Sequence, residues 1–162
     1  MSKNDFIDPD QLALDVSFFR ENLSEAFSNQ AALFSFYGGK AHDAQKEADK
    51  SKIALEIMEA RIDKEIREDM IAEGTKVTEK MVENAIKRDS RYQKAQMRLV
   101  DAKHIAGLCR TAVDAFAHRR DMLVQSGADV RKDMEGSMRM HGATSADMVS
   151  SARADHQRSK TN

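Results

Sequence analysis

Apolar residues recur at alternating intervals of three and four along most of the chain. One series begins at Tyr92 and passes through Leu99, Ala106 and Phe116, and another extends from Ala41 to Ile62. This spacing places the apolar side chains on one face of a helix. The chain shows no period-two alternation of the kind that marks strands. The pattern predicts an all-α protein in which long helices form a small bundle with helical hairpins.

The first half of the chain carries clear helix boundaries. Asp8 is expected as an N-cap, with Pro9 at the first helical position, where its missing N–H costs nothing. The apolar spacing continues to about residue 36, and Gly38 and Gly39 are expected to end this helix. A second helix is predicted from about Lys40 to Glu73. At about 50 Å it would be longer than a compact domain of this size, so part of it should project or pack on another chain.

The second half is predicted to begin with a short helix from about Thr78. The main helix should start at Ser90, where the string SRYQ forms a capping box with Gln93, and should end at Gly127. A further short helix is expected over residues 129–134. Residues 136–162 are polar and nearly aperiodic, which predicts a flexible tail after a helical oligomerisation and DNA-binding domain of residues 1–135.

Small residues lie at the centre of the apolar series on the main helix, so another helix can approach it closely. We interpret the series as a seam between subunits of a homo-oligomer. A bulky charged residue at Ala106 would then dissociate the subunits. The predicted oligomer seam consists of Leu99, Ala102, Ala106, Cys109, Val113 and Phe116.

Charge is unevenly distributed along the 162 residues, whose formal net charge is −1. Residues 1–86 hold 11 Lys and Arg and 18 Asp and Glu, a net charge of −7, whereas residues 87–120 hold 9 and 3, a net charge of +6. The asymmetry indicates either an anionic partner for the basic segment or pairing between acidic and basic helices. The absence of a signal-like N-terminus and of an apolar stretch of about 20 residues, together with a single cysteine, predicts a cytoplasmic protein without membrane contact.

Catalytic and metal-binding patterns are missing from the sequence. None of the five histidines shows HExxH or HxxxH spacing, and no phosphate-binding glycine loop is present. Cys109 falls on the apolar seam, where a cysteine usually packs as a small hydrophobic residue. The acidic residues occur in patterns such as EARIDKEIRED, which favour ion pairs one helical turn apart. We therefore expect no enzyme, no metal and no cofactor.

Basic residues are the best functional lead. Lys87, Arg91, Lys94 and Arg98 follow at intervals of four, three and four, so they form one stripe on a helix, which we call the basic stripe, and Arg88 borders it. Such a stripe suits sequence-independent contacts to phosphates. The alternative is a solvated face neutralised by acidic neighbours. That alternative is favoured for further cations of the second helix, because carboxylates surround them: Lys46, Lys50 and Lys64, near Glu47, Asp49, Asp63 and Glu65.

Several strings resemble the phage recombination mediators, the UvsY-like family, over about residues 5–136. They are DFIDPDQL at the first helix, LFSFYGGKAHDAQKEADKSK and MEARI in the second, and the stretch from KAQMRLVDAKHIAGLCRTAVDAF to VRKDMEG. The resemblance implies DNA contacts on the second helix near the Ala-Arg pair, which points to Arg61. The neighbouring lysine of the family corresponds to Glu59 here.

The resemblance implies a small helical homo-oligomeric ring that binds single-stranded DNA. Such a protein would act beside a single-strand binding protein and load a RecA-like recombinase without hydrolysing anything. If the chain is of phage origin, it would work in the host cytoplasm. The candidate DNA-binding residues are Lys50, Arg61, Lys64, Lys87, Arg88, Arg91, Lys94 and Arg98. The alternative is a helical scaffold or adaptor that acts only through protein–protein contacts.

Overall fold

The computed structural model describes the backbone of residues 6–159 and the side chains of residues 6–138. Within these residues the chain forms helices and no strand, which confirms the all-α prediction. The helices are α1 (Pro9–Val16), α2 (Leu23–Ala72), α3 (Glu79–Arg88) and α4 (Ser90–Ser159), with a 3-10 turn at Arg20–Asn22.

Helices α2 and α4 form a long antiparallel hairpin. At its base, near the α2–α3–α4 connections, Tyr92 of α4 packs against the cluster that contains Ile62 of α2. In its middle, the rings of Tyr37 and Phe116 stack with centroids 4.7 Å apart. The heptad-like apolar spacing of both helices accounts for this arrangement, because it keeps one face of each helix toward the other along the whole contact.

Side-chain size changes along the hairpin. The middle contains a cluster of small residues, Ala44 and Ala48 from α2 with Ala106 and Cys109 from α4. Small side chains allow two helix backbones to approach closely. The buried members of this cluster all come from α2 and α4. At the base the buried residues are larger, because α3 packs there and supplies part of the core. This base cluster consists of Ile62, Val82 and Ile86.

Helix α1 folds back onto the hairpin instead of continuing into α2. Asp8 caps it as predicted, since its carboxylate accepts hydrogen bonds from the backbone N–H groups of Asp10 and Gln11. The predicted continuous helix from Pro9 to residue 36 is wrong, however, because the backbone becomes extended at Ser17 and Phe19. The turn lets the apolar side of α1 cover Tyr37 and Phe116, and a continuous helix would leave both rings more open to solvent.

A buried arginine holds α1 in place. Arg119 is only 4% exposed. Its guanidinium donates to the carbonyl oxygens of Val16 and Ala26, both at 3.2 Å, and to the side chain of Gln30. Its charge lies over the ring of Phe18. Desolvation lowers the pKa of Arg119, because burial disfavours the charged guanidinium. The three acceptors compensate for this cost of burying a cation.

Gly38 and Gly39 do not end a helix. Both lie inside α2, and neither has a positive φ. The apolar face that buries Tyr37 continues directly to Ala44, and this tertiary packing overrides the helix-breaking tendency of two glycines. Gly74, in contrast, has a φ of +70° and follows the end of α2, as the sequence predicted.

Helix α4 starts where the sequence predicted, but a different residue caps it. The predicted capping box of Ser90 and Gln93 does not form, because Ser90 is already the first helical residue. Asp89 caps the helix instead: its carboxylate accepts from the backbone N–H of Arg91 at 2.7 Å. The Gln93 side chain donates to the carbonyl oxygen of Lys87 at 2.9 Å, which joins α4 to the end of α3.

Helix α4 continues through the position where an end was predicted. At Gly127 the ring of Phe27 packs so close that a Cβ atom would lie 3.3 Å from it. The glycine therefore serves the close approach of α2, and the expected separate helix at 129–134 is part of α4. The backbone stays helical to Ser159, so most of the segment predicted as a flexible tail, residues 136–162, belongs to α4. Proline is absent from that segment and alanine is frequent, so nothing in it forces the helix to stop. Flexibility of the tail and a boundary at residue 135 stay predictions, and residues 160–162 lie outside the described chain.

Candidate nucleic-acid interface

The basic stripe crosses the junction between α3 and α4. Lys87 lies in the last turn of α3, and Arg91, Lys94 and Arg98 lie on the first turns of α4. The core beneath the junction is tight, because Ile86 is buried and Tyr92 packs against the same base cluster. The stripe is thus carried by two helices that share one buried cluster.

The first part of the stripe is paired with carboxylates. Lys87 Nζ lies 2.5 Å from Glu83 Oε1. Arg91 Nη2 lies 2.6 Å from Glu65 of α2 and 2.9 Å from Asp89. Hydrogen bonds from Arg91 lower the pKa of Asp89, and the hydrogen bond from Lys87 lowers the pKa of Glu83. We refer to Lys87 and Arg91 as the paired end of the stripe.

The second part of the stripe is open. Lys94 and Arg98 are exposed, and among the side chains of residues 6–138 no carboxylate lies within ion-pair distance of either. The same holds for Arg88, the exposed last residue of α3, over that range. Lys94 and Arg98 together line a shallow groove with Met97. We refer to Lys94 and Arg98 as the open end.

A groove between α2 and α4 brings a third cation close to the open end. It has a volume of about 260 Å³ and is lined by Lys50 and Arg98 above a floor that includes Ala54, Met58 and Ala95. Cations on both walls and an apolar floor suit a polymer that has anionic and apolar parts. The structure thus joins Lys50 of α2 to Arg98 of α4, a proximity that the linear sequence does not reveal.

Acidic residues limit this positive region on one side. A neighbouring groove of about 400 Å³ is lined by Arg98 together with Glu47 and Asp101. Glu47 also accepts from Lys50 at 2.6 Å. An anion is therefore favoured toward Lys94 and disfavoured toward Asp101, so the charge distribution gives the site a direction along α4.

The remaining basic candidates on α2 are separate from the open end. Lys64 is paired with Glu68 at 3.7 Å, one helical turn away. The expectation that neighbouring acids neutralise it is met by Glu68 and not by Asp63 or Glu65. Arg61 is exposed, and over residues 6–138 it has no ion-pair partner. Arg61 is thus an accessible cation, but it does not line the grooves described above.

The predicted oligomer seam lies inside the hairpin. Leu99, Ala106, Cys109 and Phe116 are all less than 9% exposed within a single chain. The two remaining members, Ala102 and Val113, are half-buried against the same clusters. α2 of the same chain covers this face, so it is not free for a second copy while the hairpin is closed. Self-association itself stays a prediction, and a charged residue at Ala106 is now expected to disrupt the hairpin.

Reactive groups are scarce in the described part of the chain. No group of three His, Cys, Asp or Glu side chains among residues 6–138 is placed to hold a metal ion. Burial raises the pKa of Cys109, which keeps the thiol protonated and poorly nucleophilic. Burial, and then a 2.9 Å hydrogen bond to Asp15, raise the pKa of Tyr37 to about 12. Cys109 and Tyr37 both belong to the buried clusters between α2 and α4.

Arg119 is the residue that sequence reasoning missed. In the sequence it is one of two adjacent arginines, and the other, Arg120, is exposed and paired with Asp121. The apolar series passes through Phe116 and Leu123, and Arg119 lies between them on the same side of the helix. That position was the available signal that it is buried.

Comparisons with known proteins leave the family open. No protein-family model, no curated protein and no solved structure matches this chain. Among the described residues, no helix combines the length and apolarity needed to cross a membrane.

Proposed function

We propose that the protein is a non-enzymatic, single-stranded DNA-binding recombination mediator. In this proposal it assembles as a homo-oligomer and helps to load a RecA-like recombinase onto DNA covered by a single-strand binding protein. The open end of the basic stripe is the observation that supports it best. Lys94 and Arg98 are exposed, lack carboxylate partners among residues 6–138, and share grooves with Met97 and Lys50.

The proposed mode of binding is mainly electrostatic. Phosphates would contact Lys94 and Arg98, and each contact releases counterions from the strand. Lys50 would contribute less, because Glu47 already pairs with it at 2.6 Å. The apolar floor beside Met58 and Ala95 would accept parts of the sugar or base. Tyr92 offers no stacking platform, because it is half-buried against the base cluster. Binding would therefore be insensitive to base sequence.

The experiment that tests the proposal is fluorescence anisotropy of labelled oligonucleotides titrated with the full chain at low and at physiological salt. We expect preferential binding to the single strand and a steep loss of affinity as salt increases. Equal binding to the duplex would contradict single-strand specificity. Absence of binding at low salt would contradict the proposal that the protein binds nucleic acid.

A helical scaffold or adaptor is the second candidate function. It is favoured by the paired end, where Lys87 and Arg91 are engaged by carboxylates of the same chain. It is also favoured by apolar side chains at least half exposed on the outer faces of the hairpin: Ile53, Ile57, Met97 and Val100. An isolated large apolar side chain at the surface is ordinary, whereas several at one level of the hairpin suit a protein contact. Absence of DNA binding would leave this function in place.

A further inference from the structure

The ion pair between Arg91 and Glu65 bridges α4 and α2 near the base of the hairpin. Arg91 Nη2 lies 2.6 Å from Glu65 Oε2. In the groove of about 260 Å³ between the same helices, the lining residues nearest the base are Met58 of α2 and Ala95 of α4. Glu65 follows Met58 after seven positions, and Arg91 precedes Ala95 by four, so each lies on the groove side of its helix. The ion pair therefore lies across the base end of the groove.

Arg91 continues the line of the open end along α4. Arg91 and Arg98 are seven positions apart, which places them on one face of the helix, about 10 Å apart along its axis. Lys94 lies between them on the same face. A strand that contacts Lys94 and Arg98 and continues toward the base would reach Arg91 next. In the structure this next cation is occupied by Glu65.

Arg91 has a second carboxylate partner, which belongs to the start of α4. Arg91 Nε lies 3.2 Å from both carboxylate oxygens of Asp89, and Arg91 Nη2 lies 2.9 Å from one of them. Asp89 also caps α4, and its side chain is only 20% exposed. The guanidinium would therefore keep a counterion if Glu65 moved away, because the cap holds Asp89 in place.

Glu65, in contrast, is free to leave. Its side chain is 51% exposed, and within residues 6–138 its hydrogen bond and ion pair with Arg91 are the only ones that it forms. An exposed ion pair contributes little to stability. Guanidinium groups bind carboxylate and phosphate oxygens with the same geometry. A phosphate can therefore take the position that the Glu65 carboxylate holds beside Arg91.

We propose that Glu65 competes with DNA phosphate for Arg91 and thereby limits how much of a single strand one chain contacts. While Glu65 is in place, a strand meets two unpaired cations, Lys94 and Arg98. When Glu65 is displaced, Arg91 becomes a third contact. Glu65 thus determines the extent of the site without itself binding DNA. The inference rests on the DNA-binding part of the proposed function and is independent of self-association.

The first test is the affinity of a full-length Glu65→Gln variant for a labelled single-stranded oligonucleotide, measured by fluorescence anisotropy in a salt series. One added phosphate contact should steepen the slope of log K against log salt by about 0.7, which corresponds to about fivefold tighter binding at about 0.1 M salt. Circular dichroism checks that the variant is folded. An unchanged slope overturns the proposal.

Glu68→Gln is the matched control. It removes the same charge from α2 and releases Lys64, a cation that does not line the groove. Screening weakens the effect of charges that touch no phosphate, so this variant should keep the slope of the unmodified chain and change the affinity less than about twofold. An equal gain from Glu65→Gln and Glu68→Gln would show a general effect of net charge and overturn the proposal.

A double variant tests whether the gain acts through Arg91. In an Arg91→Gln background, Glu65→Gln should no longer increase the affinity, because no guanidinium is released. Asp89 can still cap α4 in this background, since it accepts from the backbone N–H of residue 91. A gain that persists without Arg91 contradicts the proposal.

Inorganic tripolyphosphate separates failure of this inference from failure of DNA binding, because it offers phosphates without sugars or bases. Its affinity for the unmodified chain and for Glu65→Gln is measured by isothermal titration calorimetry. If the single strand binds but Glu65→Gln tightens neither ligand, only the competition for Arg91 is overturned. If Glu65→Gln tightens tripolyphosphate while neither chain binds the single strand, the competition is supported and the DNA-binding function is overturned. If neither ligand binds either chain, both are overturned.

Discussion

The two ends of the basic stripe carry the same kind of side chain in different electrostatic settings. At the paired end, Arg91 contacts carboxylates of Glu65 and Asp89. At the open end, Lys94 and Arg98 face solvent without a carboxylate partner among residues 6–138. The difference arises because α2 and the α3–α4 junction place carboxylates within ion-pair distance of Arg91, whereas Glu47 and Asp101 share a groove with Arg98 and form no ion pair with it. A segment's formal charge therefore overstates the charge that it offers to a ligand.

The largest effect is expected on DNA affinity. Lys94→Gln with Arg98→Gln should weaken single-strand binding about tenfold, because two unpaired cations are removed. Lys87→Gln with Arg91→Gln removes the same formal charge but should weaken it less than about twofold, since local carboxylates already neutralise these groups. Anisotropy titrations at one low salt concentration measure both. Equal losses from the two variants would show that the ends do not differ.

The salt dependence of binding sharpens the same comparison. For a single strand, each lost phosphate contact reduces the slope of log K against log salt by about 0.7. The open-end variant should therefore lose about 1.4 from the slope, and the paired-end variant should keep the slope of the unmodified chain. A titration series in salt gives these slopes. A reduced slope in the paired-end variant alone would reverse the assignment.

Thermal stability should respond in the opposite order. Neutralising Lys87 and Arg91 removes the ion pairs to Glu83 and Glu65, so the unfolding midpoint should decrease. Neutralising Lys94 and Arg98 removes no such pair and should leave the midpoint closer to that of the unmodified chain. Circular dichroism at neutral pH and low salt measures both. A larger decrease in the open-end variant would indicate hidden partners there.

The smallest effect is expected in acid. The pKa values of Glu83 and Asp89 lie below their ordinary values of 4.5 and 3.8, because Lys87 and Arg91 donate to them. A lowered folded-state pKa gives stability that is present above the ordinary value and is lost as pH falls through the lowered one. The unfolding midpoint should thus decrease below about pH 4.5, and less steeply in the paired-end variant. Identical pH profiles for the unmodified chain and the paired-end variant would show that the ion pairs of Glu83 and Asp89 do not contribute to stability.

Periodicity predicted the main features of the fold, and tertiary packing decided the others. The apolar spacing correctly indicated long helices, and the glycine correctly marked the stop at Gly74. The start of α4 at Ser90 was also predicted correctly, although from a capping box that does not form. It could not show that Gly38 and Gly39 stay helical or that α1 turns back at Ser17, because both depend on packing against α4. A small-residue seam also looks the same whether its partner is a second chain or another helix of the same chain.

The candidate site was predictable in composition but not in arrangement. Sequence spacing correctly gave one helical face to Arg91, Lys94 and Arg98, but it was wrong for Lys87, which lies on α3 and not on α4. It could not distinguish Arg91 from Arg98, since the deciding neighbour of Arg91 is Glu65, which lies 26 positions earlier. Lys50 joined the site only through the hairpin, because its proximity to Arg98 depends on the register of α2 against α4.

The antiparallel hairpin also determines how the chain can fold. Contacts at its base, such as the packing of Ile62 with Tyr92, join residues that are near in sequence, whereas the contact of Arg20 with Asp133 spans 113 positions. Closing a loop costs more entropy as the loop becomes longer, so we expect the base to form first and each new layer to shorten the loop for the next. Substitutions at the base should therefore slow folding, and those near Arg119 should mainly accelerate unfolding.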